Sequence, residues 1–279
     1  MQICYTSDLH GSATLYDQLA DLLRAETPDA VILGGDLFND GDPRDPVGTQ
    51  VAYVERDFLK RVALWRELVP RLTVVCALGN HEWVCSRDAL RAAHEAGRVV
   101  LLDQDRPWRH AGFTLLGYPC TPPTPHWLKD FERLDQAGDA LPQAGGFVWD
   151  ARQGCGREVT PAQHFGQMPT VADELARMPV PPAPWIFVAH APPHDSKLDR
   201  LPHVPYPVGS RAVRRFVEQR QPAIVLHGHV HESAELTGSY TDRLGQALCI
   251  NPGQRDGQLC AVLFDAARPA ETLRHTVYK

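Results

Sequence analysis

Two histidines separated by one residue, His229 and His231 in the segment LHGHVHES, carry the densest metal-ligating chemistry in the chain. On an extended backbone, side chains at i and i+2 point the same way, so one metal centre can be served by both. Four other segments carry donors of the same kind. Asp8-Leu9-His10 follows the N-terminal apolar run, Gly35-Asp36 follows AVILG, Gly79-Asn80-His81-Glu82 follows LTVVCAL, and His190 ends WIFVA. Each of these sites falls at the C-terminal end of a predicted strand, where an open α/β sheet places its binding crevice. The candidate ligands are Asp8, His10, Asp36, Asn80, His190, His229 and His231, all oxygen or imidazole donors with no thiolate among them. That mixture suits Mn, Fe, Ni or Zn, and disfavours a thiolate-rich structural zinc site or an all-oxygen Mg or Ca site. So many donors exceed the needs of one such ion and suit two ions sharing a carboxylate. Two metals roughly 3.5–4 Å apart can clamp the attacking and leaving oxygens of an in-line phosphoryl displacement and deprotonate a water near neutral pH. The chemistry expected is hydrolysis of a phosphoester without a covalent enzyme intermediate.

The elements that must position these residues read as alternating strands and helices. Strands are predicted at 2–7, 30–34, 72–78, 185–189 and 223–227. Helices are predicted at 12–25, with Leu15, Leu19, Leu22 and Leu23 on one face, and at 210–219, with Ser210 as N-cap. A long helical pattern places Phe58, Val62, Trp65 and Leu68 on one face and stops before Pro70, and a short helix follows the GNHE loop. The rhythm predicts a mixed α/β fold. Residues 98–118 read as short strands. From Pro119 to Pro184 the chain turns Pro- and Gly-rich, with helical pieces at 126–135 and 161–177. This stretch is expected to be an insertion beside the active face of a single domain spanning 1–279, edging the crevice with His126, Trp127, Lys129 and Asp130. The tail, 234–278, reads as β-strands.

Composition narrows the function classes. With 279 residues and a formal net charge of -6, the chain has no basic run to neutralise phosphates, which argues against a nucleic-acid binder. A small anionic substrate stays compatible, because bound metal ions reverse the local potential. Seven scattered cysteines without a CxxC predict a reducing compartment rather than a disulfide framework, with Cys85 and Cys120 filling space. No signal-peptide pattern and no apolar run of spanning length are present, so a soluble, cytoplasmic protein without membrane contact is expected.

Taken in order, Asp8-x-His10, Gly35-Asp36, Gly79-Asn80-His81-Glu82, His190 and Gly228-His229-Val230-His231 resemble the pattern of the calcineurin-like metallophosphoesterase superfamily. The segments GYPCTPPTPHWLKDFERLD, HAPPHDSKLDR, VGSRAVRRFVE and LHGHVHES further resemble its Icc-like bacterial and archaeal branch. The resemblance implies a two-sheet β-sandwich flanked by helices, with the active site at the strand C-terminal ends. It implies that Asp8, His10 and His231 hold one metal, that Asn80, His190 and His229 hold the other, and that Asp36 bridges. His81 would contact the phosphate and protonate the leaving oxygen, and metal-bound hydroxide would attack directly.

Two departures narrow the branch. Phosphoprotein phosphatases carry Asp-Arg starting three residues after the bridging carboxylate, where this chain has Asn39-Asp40. An Asn there can orient the catalytic imidazole but cannot stabilise its charge. Purple acid phosphatases need a Tyr ligand that Leu37, Phe38 and Asn39 do not supply. The expectation is a hydrolase for a small phosphodiester or phosphomonoester. The alternatives are a metal-dependent nuclease, and a non-catalytic scaffold that would be expected to lose ligands or His81. Asn39, His194 and His203 are candidate substrate-edge residues, and His227 is a candidate buried partner. Glu82 is either a support for the ligands or exposed, and Trp83 is a pocket wall or packing. In RAVRRF, Val213 and Phe216 are expected to face inward, with an arginine at its start free to meet an anion.

Overall fold

Strands apolar on both faces build two sheets. The computed structural model describes residues 1–278. In chain order they form β1 (Gln2–Thr6), α1 (Ala13–Glu26), β2 (Ala30–Gly34), two π-helical turns (Val47–Val51 and Val54–Phe58) continuing into α2 (Leu59–Leu68), β3 (Thr73–Ala77), α3 (Val84–Glu95), β4 (Val100–Leu101), β5 (Trp108–His110) and β6 (Phe113–Tyr118). There follow β7 (Gly146–Asp150), β8 (Cys155–Val159), α4 (Pro161–Phe165), α5 (Val171–Arg177), β9 (Trp185–Ala189), α6 (Arg211–Arg220), β10 (Ile224–Leu226) and α7 (Ser233–Thr237). The chain closes with β11 (Thr241–Leu244), β12 (Ala247–Ile250), β13 (Val262–Asp265), α8 (Pro269–Thr272) and β14 (Arg274–His275). One sheet has the order β14-β13-β1-β2-β3-β4 and the other β11-β12-β10-β9-β6-β5. Among the strands that carry candidate ligands, β1, β2 and β3 pair in parallel in the first sheet, and β9 and β10 in the second.

Period-two alternation divides each strand between two cores. Ile3, Tyr5, Ile32, Val75, Ile186, Val188, Ile224 and Leu226 form one buried cluster shared by both sheets. Their neighbours Cys4, Val31, Leu33, Val74, Phe187 and Val225 join the cluster to which α1, α2 and α6 contribute Leu19, Trp65 and Phe216. Burial of a large apolar side chain is worth about 1.5–3 kcal/mol, so these two layers fix the strand ends from which the ligands project. Local signals agree with them. Ser12 caps α1 by accepting the Leu15 N–H, and Ser210 caps α6 by accepting that of Val213. The result is the two-sheet, helix-flanked architecture expected. Among the described residues no helix is long and apolar enough to cross a membrane.

Three local features depart from expectation. Residues 126–135 carry helical spacing but form no helix. Their backbone pairs sideways instead: Phe147 N–H donates to Trp127 O at 2.7 Å, Lys129 N–H to Phe147 O at 2.9 Å, and Arg133 N–H to Thr121 O at 3.0 Å. Tertiary hydrogen bonds outweigh the propensity there. The hairpin β7–β8 lies in a stretch whose pattern predicts no strand. The tail is not all strand, since Ser233–Thr237 and Pro269–Thr272 are helical turns.

Candidate metal centre

All five motif segments leave their strands on one edge, and the backbone there is tightly constrained. Asp8, His10, Asp36 and His229 have positive φ of 58°, 45°, 51° and 67°, a region that costs side-chain-bearing residues energy. Two glycines permit the close approach. A Cβ on Gly79 would collide with Asp36 Oδ1 and lie 2.6 Å from His190 Nε2, and one on Gly228 would lie 2.5 Å from Asp8 Oδ2.

The loops converge into two triads of the expected ligands, and His10, Asp40 and His81 form a third such group at the rim. Ligating atoms of Asp8, His10 and His231 lie within 4.8 Å of one another, and so do those of Asp36, His190 and His229. Asp8 Oδ1 is 3.3 Å from His231 Nε2, and His10 Nε2 is 3.4 Å from His231 Nε2. Asp36 Oδ2 is 3.1 Å from His190 Nε2 and 3.9 Å from His81 Nε2. Asn80 is buried beside them with neither Oδ1 nor Nδ2 hydrogen-bonded, and His190 Nε2 is likewise buried without an aligned partner. Buried polar atoms are almost always satisfied, so these orphans, among oxygen and imidazole donors, fit a site built for cations.

The electrostatics agree. Burial would raise the Asp8 carboxyl, but His231 and His190 outweigh it and hold it well below the usual carboxylate range. Burial would likewise raise Asp36, but His190 and His81 prevail and hold it well below that range. Burial would lower His190, yet Asp36 and Asp8 push it up to about 10, while burial beside His190 takes His229 down to about 3. A set of ionised carboxylates holding protons on neighbouring imidazoles can exchange those protons for cations. His190 Nδ1 donates to Gly34 O at 3.0 Å, which turns Nε2 toward the site.

Support comes from side chains beyond the candidate ligands. Glu82 is fully buried, and its carboxylate accepts the N–H groups of Gly79 (2.7 Å), Leu37 (2.6 Å), Asp36 (3.1 Å) and Phe38 (3.3 Å). It therefore ties the loop after β2 to the loop after β3, and burial with Asp36 nearby pushes it up to about 7. Gln50 donates to Asn39 O and His81 O and accepts from Trp83 N and Ser86 Oγ. Asn251 Nδ2 donates to Gly228 O and Val230 O, fixing the loop of His229. Sequence reasoning missed Gln50 and Asn251. Gln50 follows the polar pair Gly48-Thr49 and Asn251 opens the turn Asn251-Pro252-Gly253, so local pattern assigns both to loop polarity. Replacing Glu82 by Ala strands several buried N–H groups, so a loss of about 3 kcal/mol or more is expected. Chemical denaturation checks the stability, and calorimetric metal titration should show affinity reduced about 10–100-fold.

His81 lies at the rim, 22% exposed in its side chain. Its N–H donates to Asp36 Oδ1 at 2.9 Å, and its Nδ1 lies 2.6 Å from Asp40 Oδ1. Asn39, expected to orient this imidazole, is exposed, and only its carbonyl is held, by Gln50. The partner of His81 is instead a carboxylate, which does stabilise the imidazolium. Burial would lower His81, but Asp36 and Asp40 push it up to about 9. Burial would raise Asp40, but hydrogen bonds from His126 and His81 hold it well below the usual range.

The other expected residues separate. His227 is buried with Nδ1 3.0 Å or closer to Ala189 O and Ala191 O, and burial takes it down to about 4. Trp83 is buried packing against Trp127. Lys129 and Asp130 do not edge a crevice. Lys129 pairs with Glu132 at 2.7 Å in the interior, and Asp130 accepts from Val84 and Trp149 N–H groups. Val213 and Phe216 are buried on α6, while Arg211 is tied to Asp139 and Arg214 to Glu218. His194 lines a separate cleft with Asp135 and Arg211, and His203 is exposed; neither joins a triad. All seven cysteines are free.

An open cleft of about 380 Å³, lined by Asp8, His10, His231 and Arg255, adjoins the first triad, and a shallower one of about 650 Å³, lined by Asn39, Asp40, Tyr53 and Arg56, includes no triad residue.

The model of the family described as calcineurin-like phosphoesterase matches residues 1–233. No curated protein matches the sequence. One crystal structure superposes with a TM-score of 0.62 at 13% identity, covering 100% of this chain and 99% of its own. TT1561 of Thermus thermophilus superposes with a TM-score of 0.57 at 16% identity, covering 98% of this chain and 97% of its own. An archaeal phosphodiesterase gives a TM-score of 0.46 at 12% identity, with 99% and 98% covered.

Proposed function

The chain belongs to the calcineurin-like phosphoesterase family, and from that premise we propose that it is a two-metal hydrolase of a small phosphodiester. The observation that carries this reading is the pair of triads, Asp8/His10/His231 and Asp36/His190/His229, with the orphaned Asn80 beside them. When bound, two ions of Mn, Fe, Zn or Ni would supply Lewis-acid charge and an activated water. Asp8, His10 and His231 would hold one and Asn80, His190 and His229 the other, with Asp36 facing both.

The chain's own residues do the rest. Asp36 orients the His81 backbone, and Asp40 accepts the Nδ1 proton and stabilises the doubly protonated ring, whose Nε2–H gives its proton to the leaving oxygen and leaves the neutral Nδ1–H form behind.

The diester preference rests on charge. At position 40, where phosphoprotein phosphatases carry an arginine, this chain has a carboxylate beside His81, which disfavours a dianionic monoester. A diester carries one negative charge fewer at the reacting phosphorus. The cleft beside the first triad is of small-ligand size, and a net charge of -6 disfavours long nucleic acid. The chain, expected to be one cytoplasmic domain, is then an enzyme of small-molecule metabolism. The test compares metal-loaded protein on bis-p-nitrophenyl phosphate and on a phosphopeptide panel. Diester turnover is expected to dominate, and efficient, selective phosphopeptide hydrolysis would sink the substrate assignment.

A further inference from the structure

One residue of the 119–184 segment reaches the chemistry. The His126 ring stacks on His81 with centroids 3.8 Å apart and planes 25° apart. Its Nε2 lies 3.1 Å from Asp40 Oδ2, while Asp40 Oδ1 lies 2.6 Å from His81 Nδ1. Each oxygen of Asp40 thus serves one imidazole. The tautomer of His126 follows from its other nitrogen. Leu128 N–H donates to Nδ1 at 3.3 Å, which leaves the proton on Nε2, pointing at Asp40.

His126 is itself held in place. Its N–H donates to Thr124 Oγ1 at 3.1 Å, and Thr124 is fixed by the carboxylate of Glu132, which pairs with Lys129 in the interior. Trp127 next to it accepts from Phe147 N–H and packs on Trp83, whose Nε1–H donates to Asp40 O at 2.8 Å. The buried ion pair and the hairpin β7–β8 therefore brace a ring that belongs to neither triad.

We propose that His126 is a positioning residue of the reaction, holding Asp40 by a hydrogen bond and lying flat on His81 so that the leaving-group acid keeps its aim. This rests on the phosphoesterase reading above, in which His81 protonates the leaving oxygen. His126 touches no reacting atom. It acts through Asp40 and through the plane of the His81 ring. A carboxylate held by one imidazole alone can rotate. Held by two, it presents a fixed acceptor to His81 Nδ1 and fixes the direction of Nε2. Outer partners of this kind are worth about 10–100-fold in activity.

The experiment uses the full chain with His126→Ala and His126→Gln, the second retaining a donor that can reach Asp40. With metal-loaded protein, His126→Ala is expected to lower kcat on a dialkyl phosphodiester about 10–100-fold. KM should be nearly unchanged, and the loss on bis-p-nitrophenyl phosphate much smaller. His126→Gln should recover part of the loss. Metal content should equal that of the parent. A second readout needs no metal: long-range proton–nitrogen spectra of the metal-free protein should show a protected Nδ1–H on His81 that broadens in His126→Ala and persists in His126→Gln. Equal losses on both substrates, or an unaltered His81 signal in His126→Ala, would overturn the proposal. An inactive parent chain carrying two ions would instead overturn the phosphoesterase reading, and the spectra of the metal-free protein would still decide the role of His126.

Discussion

Asp36→Ala is expected to bind neither metal ion firmly and to lose nearly all hydrolytic activity, on the order of 10³-fold or more, which corresponds to about 4 kcal/mol of transition-state stabilisation. Asp36 is the carboxylate of the second triad that also reaches the rim. Its Oδ2 lies 3.1 Å from His190 Nε2 and 3.9 Å from His81 Nε2, and its Oδ1 accepts the His81 N–H. It is buried yet ionised, because His190 and His81 outweigh the burial that opposes its charge. Truncation removes a ligand, a counter-charge and the anchor of the His81 backbone together. Elemental analysis after metal loading, paired with bis-p-nitrophenyl phosphate turnover, reads the outcome. Two ions per chain at full occupancy in Asp36→Ala would show that Asp36 does not bridge.

His81→Asn is expected to keep both metals and lose about 10²–10⁴-fold on an alkyl phosphodiester, the usual worth of a general acid. The loss on the p-nitrophenyl diester should be far smaller, because p-nitrophenolate departs without a proton. The ring is placed for this work: Asp40 holds Nδ1 and supports the charged form, and Nε2 turns toward the triads. Equal losses on both substrates would make His81 a charge-stabilising contact rather than an acid, and loss of metal would make it a ligand. Steady-state rates with matched metal analysis separate the three outcomes.

The legibility of the site in the sequence follows a physical boundary. Asp8, His10, Asp36, Asn80, His190, His229 and His231 stand out because each lies at or just beyond the end of an apolar run, and parallel strands buried on both faces put all such ends on one edge. Asp40 does not. It lies in NDGDPRDPVG, where every polar residue looks like a turn, and its identity as the partner of His81 depends on how that loop folds back. Spacing alone directs attention to Asn39, one residue short. His126 is one of two histidines in the Pro-rich stretch 119–184, and its place beside His81 is set by Lys129, Glu132 and the hairpin β7–β8, through contacts that local pattern does not encode. The same stretch defeats the helix expected at 126–135, because its backbone is committed to pairing with Thr121 and Phe147. Local pattern carries the strands and their ends. Long-range hydrogen bonding decides the insertion.

The central claim, two metal ions acting together in hydrolysis, is tested most directly by titrating metal-stripped protein with Mn²⁺ while following bis-p-nitrophenyl phosphate hydrolysis. The account predicts two equivalents bound per chain, with activity appearing as the second site fills. Activity that is complete after one equivalent, or unchanged in metal-stripped protein, would contradict it.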